Sequence, residues 1–251
     1  MAATLIAHRG YAGLAPENTV RAVRTATDHD VTDMVEIDVQ PAACGTPVVI
    51  HDHRLDGSRN GQPLTDREGV VWETPLETVT AAEVLGSGET VPTLSTVLEA
   101  VPQSVRVNVE LKTPGTLDIA LGMGLEPSAV ADRRERWVPF VERVVADCDA
   151  AGRDVLFSSF APAALAAAEE VAPDYGTAPI AWGETREAIE MARHLDSEAV
   201  HPRHTAVDET VLEAAQAAGI AVNVWTLEEE SEVTGPTERV DGLIADVPLS
   251  V

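Results

Sequence analysis

Apolar positions fall into two rhythms along the chain. Short, β-branched runs recur at Thr4–His8, Met34–Val39, Pro47–His51, Val105–Leu111, Val155–Ser158, Thr177–Ile180, Ser197–Val200, Ala221–Trp225 and Gly242–Ala245. Runs of this length and composition predict buried strands. Longer stretches between them carry helical spacing. The first is Glu17–Asp28, opened by Pro16 in the way proline favours helix starts. Others are Thr93–Ala100, Ala131–Ala151, Pro162–Val171, Thr185–Leu195 and Asp208–Ala218. Strand and helix in alternation predict a parallel sheet with crossover helices, an α/β fold that closes as a (β/α)₈ or TIM barrel.

These strand candidates exceed a barrel's eight by one. Only Gln40–Thr46 separates the second run from the third, too little chain for a parallel crossover. Pro47–His51 is therefore expected to fold back as an antiparallel hairpin strand, turning around Ala43-Cys44-Gly45-Thr46 and setting Asp38 opposite His51. The alternative keeps Pro47–His51 as a barrel strand. Two segments break the rhythm. His51–Val91 is rich in Gly, Pro, Asp and Thr, and residues 52–92 read as a small insertion at the barrel mouth. Thr113–Val130 holds the unusual run LDIALGMGLEP, and long loops of this kind often carry function. Neither resembles an interdomain linker, so residues 1–251 are expected to form one domain.

In such a barrel, polar residues at the C-terminal ends of strands converge. The first strand ends in His8-Arg9-Gly10, and the second carries Glu36 and Asp38. The hairpin strand ends in His51-Asp52, and the next parallel strand in Glu110-Leu111-Lys112. Residues two apart on a strand share a face, which pairs Glu36 with Asp38 and Glu110 with Lys112. Glu36, Asp38 and Glu110 together suit one Mg²⁺ or Ca²⁺, since both prefer hard oxygen ligands. Arg9 and Lys112 suit phosphate oxygens. His8 and His51 suit general base and general acid, because imidazole titrates near neutral pH. A blander reading pairs the three acids with Arg9 and Lys112 as buried salt bridges without metal. His29, His194, His201 and His204 have no such constellation and are expected in loops or facing solvent.

Charge sharpens this picture. The chain of 251 residues has 17 Lys+Arg against 42 Asp+Glu, a formal charge of −25. That field disfavours nucleic acid and anionic membranes as partners, and it would repel an anionic substrate unless a cation intervened. An acid-rich, lysine-poor composition is one that halophiles use, so a halophilic, cytoplasmic protein is expected. Cys44 and Cys148 make no disulfide framework, and neither has a reactive-thiol setting. No apolar run reaches transmembrane length, and the start, MAATLIAHRG, lacks a signal-peptide pattern. Hydrophobic residues at 45% are enough for a packed core.

The ordered motifs are similar to those of the glycerophosphodiester phosphodiesterase family. They are His8-Arg9-Gly10, Pro16-Glu17-Asn18-Thr19, Glu36-Ile37-Asp38-Val39, Pro47-Val48-Val49-Ile50-His51-Asp52, Pro92-Thr93-Leu94, Glu110-Leu111-Lys112, Ser159-Phe160, Asn223-Val224-Trp225-Thr226 and Asp241-Gly242-Leu243-Ile244-Ala245-Asp246. The resemblance implies a barrel, one divalent cation on Glu36, Asp38 and Glu110, acid/base roles for His8 and His51, and phosphate contacts from Arg9 and Lys112. It also implies that Glu17 and Asn18 shape the site. The implied reaction uses the glycerol 2-hydroxyl as nucleophile and passes through a cyclic phosphate to a glycerol phosphate and a free alcohol. Phe160 and Trp225 would then offer an apolar wall to the substrate, although packing roles suit them equally. Glu17 is also welcome at a helix start on electrostatic grounds alone. Two segments depart from the family pattern. Leu55-Asp56-Gly57-Ser58-Arg59-Asn60-Gly61 lacks the usual threonine pair, and Thr113–Val130 matches none of the family motifs above. Rival functions are a phospholipase D-type lipid phosphodiesterase stopping at a cyclic phosphate, and a non-catalytic phosphate-binding barrel. A zinc amidohydrolase-like site would need more histidine ligands than His51 and His53.

Overall fold

The computed structural model describes residues 3–250, so both ends of the expected 1–251 domain lie outside the described residues. Strand β1 (Thr4–Ala7) leads through a short turn at His8–Gly10 to helix α1 (Val20–Thr27). Strand β2 (Met34–Pro41) folds back on β3 (Pro47–Val49). An excursion follows, with the small hairpin β4 (Ser58–Arg59) and β5 (Gln62–Pro63) and the short helix α2 (Leu76–Val79). The chain then runs through α3 (Leu94–Ala100), β6 (Arg106–Leu111), α4 (Pro127–Ala151), β7 (Val155–Ser159) and α5 (Pro162–Val171). It finishes with β8 (Gly176–Ala181), α6 (Thr185–His194), β9 (Ala199–Pro202), α7 (Glu209–Ala218), β10 (Ala221–Leu227) and β11 (Gly242–Ala245).

Spatial order around the sheet is β1-β11-β10-β9-β8-β7-β6-β2, and β2 returns to pair with β1 in parallel. The expected eight-stranded parallel barrel is therefore closed, with a small antiparallel addition. The addition has a simple cause. Strand β1 reaches only as far as Val35 on β2, which leaves the edge of β2 beyond it open. Strand β3 takes that edge in antiparallel register. The expected register was displaced by one residue: Val39 pairs with Val49, and Ile50 N–H donates to Asp38 O at 2.9 Å, so Asp38 lies opposite Ile50 and not His51. The turn centres on Cys44, because Ala42 N–H closes it on Thr46 O at 2.9 Å while Gly45 adopts φ +81.

Strand parity sorts the core. Ile37, Val39, Val109 and Leu111 point outward, into the main apolar cluster with Leu98 of α3 and Trp137, Val141 and Val144 of α4. The alternate residues point inward. Ile6, Met34, Leu156, Ala178, Ala199 and Ile244 plug the lower barrel. Above them the interior turns polar, with Glu36, Asp38, Asn108, Glu110, Ser158, His201 and Asn223 all buried. The excursion after β3 builds its own apolar cluster from Ile50, Leu55, Leu64, Val71, Val79, Val84 and Val91, joined to Val48.

Several boundaries differ from those read in the sequence. Helix α1 begins at Val20 and not at Glu17, because Thr19 Oγ1 accepts from Ala22 N–H at 3.1 Å and caps it, while Asn18 sits at φ +59. Helix α4 starts earlier than expected, at Pro127. Strand β9 starts at Ala199 and not at Ser197, since Ser197 N–H still closes on Ala192 O of α6 and its hydroxyl pairs with Thr177 at 2.7 Å. That shift carries His201 into the strand. His201 is 1% exposed inside the barrel, which overturns its expected loop position.

Candidate active site

Barrel register assembles the site. Asp38 on β2 pairs with Glu110 on β6, and Glu36 with Asn108, while Glu110 pairs in turn with Ser158 on β7. All of these are inward positions near the strand ends. Ligand oxygens of Glu36, Asp38 and Glu110 lie within 4.8 Å of one another. The loop after β1 adds His8 and Arg9. Gly10 makes this possible: its φ is +76, and a Cβ there would stand 2.6 Å from the Ala22 carbonyl carbon. With Arg9 at φ +52, its backbone N–H donates to Glu36 Oε2 at 2.9 Å. Its guanidinium lies 3.2 Å from Asp38 Oδ2 and donates to Glu17 Oε1 at 2.9 Å.

The two histidines are held alike. His8 Nδ1 is 2.6 Å from Asp246 Oδ1, just past β11, and His51 Nδ1 is 2.6 Å from Asp52 Oδ1. A carboxylate on Nδ1 favours the Nδ1–H tautomer in each neutral ring and leaves Nε2 as the proton-accepting atom. His8 and His51 line one cavity of about 240 Å³ with Arg9, Glu36, Glu110 and Lys112. Phe160, Trp182 and Trp225 form its aromatic wall, with Trp182 and Trp225 4.8 Å apart between centroids. Asn108, Ser158 and His201 supply polar groups to the same cavity.

Electrostatics mark the acids as unequal. Burial and the neighbouring charges of Asp38 and Glu110 push the Glu36 carboxyl well above its ordinary range, more than Arg9 can offset. Burial also works against ionised Asp38, yet Lys112 and Arg9 outweigh it and hold that carboxyl well below its ordinary value. Lys112 itself is raised: burial opposes its charge, but Glu110 at 2.6 Å and Asp38 at 3.3 Å dominate. With neutral imidazoles, Glu17, Glu36, Asp38, Asp52, Glu110 and Asp246 outnumber Arg9, Arg59 and Lys112. Buried Glu36 Oε1 has no hydrogen-bond partner among the described residues, and Asp38 Oδ1 has only the Lys112 ammonium, at 3.3 Å. Excess negative charge, an orphaned Glu36 oxygen and an all-oxygen donor set fit a hard divalent cation.

Glu17 and Asn18 stand behind the cavity wall. Asn18 Nδ2–H donates to Asp38 Oδ2 at 2.7 Å, and Asp38 N–H returns to Asn18 Oδ1 at 3.1 Å. Glu17 is clamped between Arg9 and Arg59, the latter at 2.6 and 2.7 Å. Arg59 also reaches Asp52 Oδ1 at 3.3 Å, so the excursion after β3 touches the carboxylate that orients His51. Sequence reading gave Arg59, Asp52, Asp246 and Trp182 no site role. Asp246 and Trp182 follow strand ends directly and were open to the same strand-end logic as His8. Arg59 lies on an aperiodic segment, where spacing carries no signal.

Among the described residues, no helix is long and apolar enough to cross a membrane. A family model described as the glycerophosphoryl diester phosphodiesterase family matches residues 8–250. The glycerophosphodiester phosphodiesterase of Caldanaerobacter subterraneus is 28% identical, over 99% of this chain and 96% of that one. A glycerophosphodiester phosphodiesterase of Bacillus altitudinis is 26% identical, over 97% of this chain and 94% of its own. Among solved structures, a phosphodiesterase from Oleispira antarctica in complex with the product sn-glycerol-3-phosphate aligns with a TM-score of 0.80. It shares 25% identity and covers 98% of this chain and 93% of its own. Barrel, acidic cluster, carboxylate-oriented histidines and family match thus converge: the chain belongs to the glycerophosphoryl diester phosphodiesterase family of phosphoric diester hydrolases.

Proposed function

We propose that this site cleaves glycerophosphodiesters to a glycerol phosphate and an alcohol, with His8 as general base and His51 as general acid. The observation that carries the reading is the pair of imidazoles, each fixed at Nδ1 by its own carboxylate, lining one cavity with Glu36 and Glu110, whose oxygens cluster with that of buried Asp38. His8 Nε2 takes the proton from the glycerol 2-hydroxyl, whose oxygen bonds to phosphorus. The bond from phosphorus to the leaving oxygen breaks, and the proton on His51 Nε2 passes to that oxygen. Water then opens the cyclic phosphate with the two roles reversed. Arg9 and Lys112 orient the phosphate oxygens, and Phe160 and Trp225 wall the glycerol carbons. Asn18 and Glu17 act through Asp38 and Arg9 and not on substrate directly.

Glu36, Asp38 and Glu110 would hold one Mg²⁺ or Ca²⁺. When bound, that cation supplies positive charge against the phosphate and the charge developing on it. The whole chain is read as one domain, cytoplasmic and halophilic, with a small-molecule substrate and no nucleic-acid or stable membrane partner. The test is release of glycerol phosphate from glycerophosphoethanolamine and glycerophosphocholine in high salt, with EDTA and metal add-back. Activity should vanish with EDTA, return with one of the two ions, and fall by about 10²-fold or more in His8→Ala. Full activity in His8→Ala would overturn the acid/base assignment. No release under any metal would favour the non-catalytic phosphate-binding barrel.

A further inference from the structure

A second cleft of about 240 Å³ opens beside the first cavity and shares His51, Glu110, Lys112 and Phe160 with it. Both have apolar walls, the inner one of Phe160, Trp182 and Trp225, and they differ in the groups set beside those walls. The inner cavity has His8 and the polar floor of Asn108, Ser158 and His201, and buried Asn108 Oδ1 has no hydrogen-bond partner among the described residues. The outer cleft is faced by Leu117, Ile119 and Leu121 from the loop between β6 and α4. Leu117 and Leu121 are each 61% exposed, though the loop bearing them is anchored. Thr113 Oγ1–H donates to Thr116 O at 2.6 Å, Arg136 holds Asp118, Gly122 N–H donates to Phe160 O at 2.9 Å, and Met123 is buried in the main core. A fixed backbone that leaves two leucines in water gains when an apolar group covers them.

We infer that the outer cleft is the leaving-group subsite and that it takes an uncharged, apolar alcohol, a refinement that rests on the proposed reaction. A diester straddling His51 and Lys112 has one arm in each space. The inner cavity offers hydrogen-bonding groups to glycerol hydroxyls, and the outer cleft offers leucine and isoleucine to the other arm. His51 and Asp52 border the outer cleft, which puts the proton donor beside the oxygen that departs. The two carboxylates lining the cleft are already engaged, Asp52 with His51 and Glu110 with Lys112, so an ammonium headgroup would have to displace a partner to pair there. Leu117 and Leu121 thereby determine specificity without touching the reacting atoms.

The test compares kcat/KM for the ethyl, butyl and hexyl monoesters of glycerol phosphate, with glycerophosphocholine as the charged control, for the full chain loaded with its metal. Rate should climb about two- to fourfold per added methylene until the cleft fills. The double variant Leu117→Ser/Leu121→Ser should flatten that climb to less than about twofold across the series. Both leucines are exposed, and a circular dichroism melt checks that the variant folds. Turnover of the ethyl ester with no chain-length dependence, a preference for the choline ester, or an unchanged slope in the variant would each overturn the subsite and leave the proposed reaction standing. No turnover of any ester would instead strike at the reaction itself.

Discussion

His8 and His51 differ from the other histidines in having a carboxylate on Nδ1. In the proposed reaction Asp246 and Asp52 are positioning residues, since each acts through the histidine it holds. Asp246→Asn should preserve the fold, allow the wrong tautomer of His8, and lower kcat by about 10²-fold or more while KM moves little. Steady-state kinetics with a matched unfolding curve checks this, and a KM effect alone would mark Asp246 as structural. His201 shows the opposite design. It is buried in the barrel with Asn223 Nδ2 at 3.1 Å from its Nε2, and burial, against a weak opposing pull from Glu198, pushes its pKa down to about 3. A depressed histidine binds fewer protons folded than unfolded, so its contribution is complete above its unfolded pKa of about 6.5 and drains away as pH falls toward 3. Urea unfolding between pH 6.5 and 5 should lose up to about 1.4 kcal/mol per pH unit more in the wild type than in His201→Gln. Equal slopes would mean that His201 is protonated in the fold.

Elements determine which residues meet, and the excursion after β3 shows how a remote segment joins the site. Arg59 bridges Glu17 and Asp52 with its planar fork, a geometry lysine cannot copy. Arg59→Ala should cost about 1–3 kcal/mol and about tenfold in kcat/KM, with little rescue by Arg59→Lys. Denaturant melts and kinetics on both variants decide it. Deeper in the molecule, Trp137 of α4 packs against the outer barrel face, and Trp137→Ala should cost about 3–5 kcal/mol by cavity formation. Much of this layout was legible in the chain. Period-two spacing of Glu36 with Asp38, and of Glu110 with Lys112, placed both pairs on the barrel's inner face, where β2–β6 register brings them together. Other features were not legible, for definite reasons. Hairpin register depends on whether a turn centres on Cys44 or between two residues, and hydrophobic alternation cannot resolve that choice. Helix α6 and strand β9 meet at Ser197, whose backbone stays with the helix, so the strand-end position of His201 was hidden. Asn18 faces Asp38 because it leaves the helix at positive φ, which the sequence pattern of a helix start does not reveal.

At the scale of the whole molecule, the formal charge of −25 is the dominant fact. Like charges spread over one fold repel, and salt shortens that repulsion from a Debye length of about 10 Å at 0.1 M to about 3 Å at 1 M. Tm should therefore rise between these two salt concentrations, by about 2–4 °C for each kcal/mol of repulsion relieved. Calorimetry in NaCl checks it, and a flat or falling Tm would argue against the halophilic reading. The same field bears on the site, where acids outnumber bases and an anionic phosphodiester must nevertheless enter. The central claim is that Glu36, Asp38 and Glu110 hold a divalent cation that makes entry favourable. Its most direct test is isothermal titration of metal-stripped protein with Mg²⁺ and with Ca²⁺, in parallel with Asp38→Asn. The expected result is one ion bound per chain, with binding lost in the variant. Absence of binding by either ion, or an isotherm unchanged in Asp38→Asn, would contradict it.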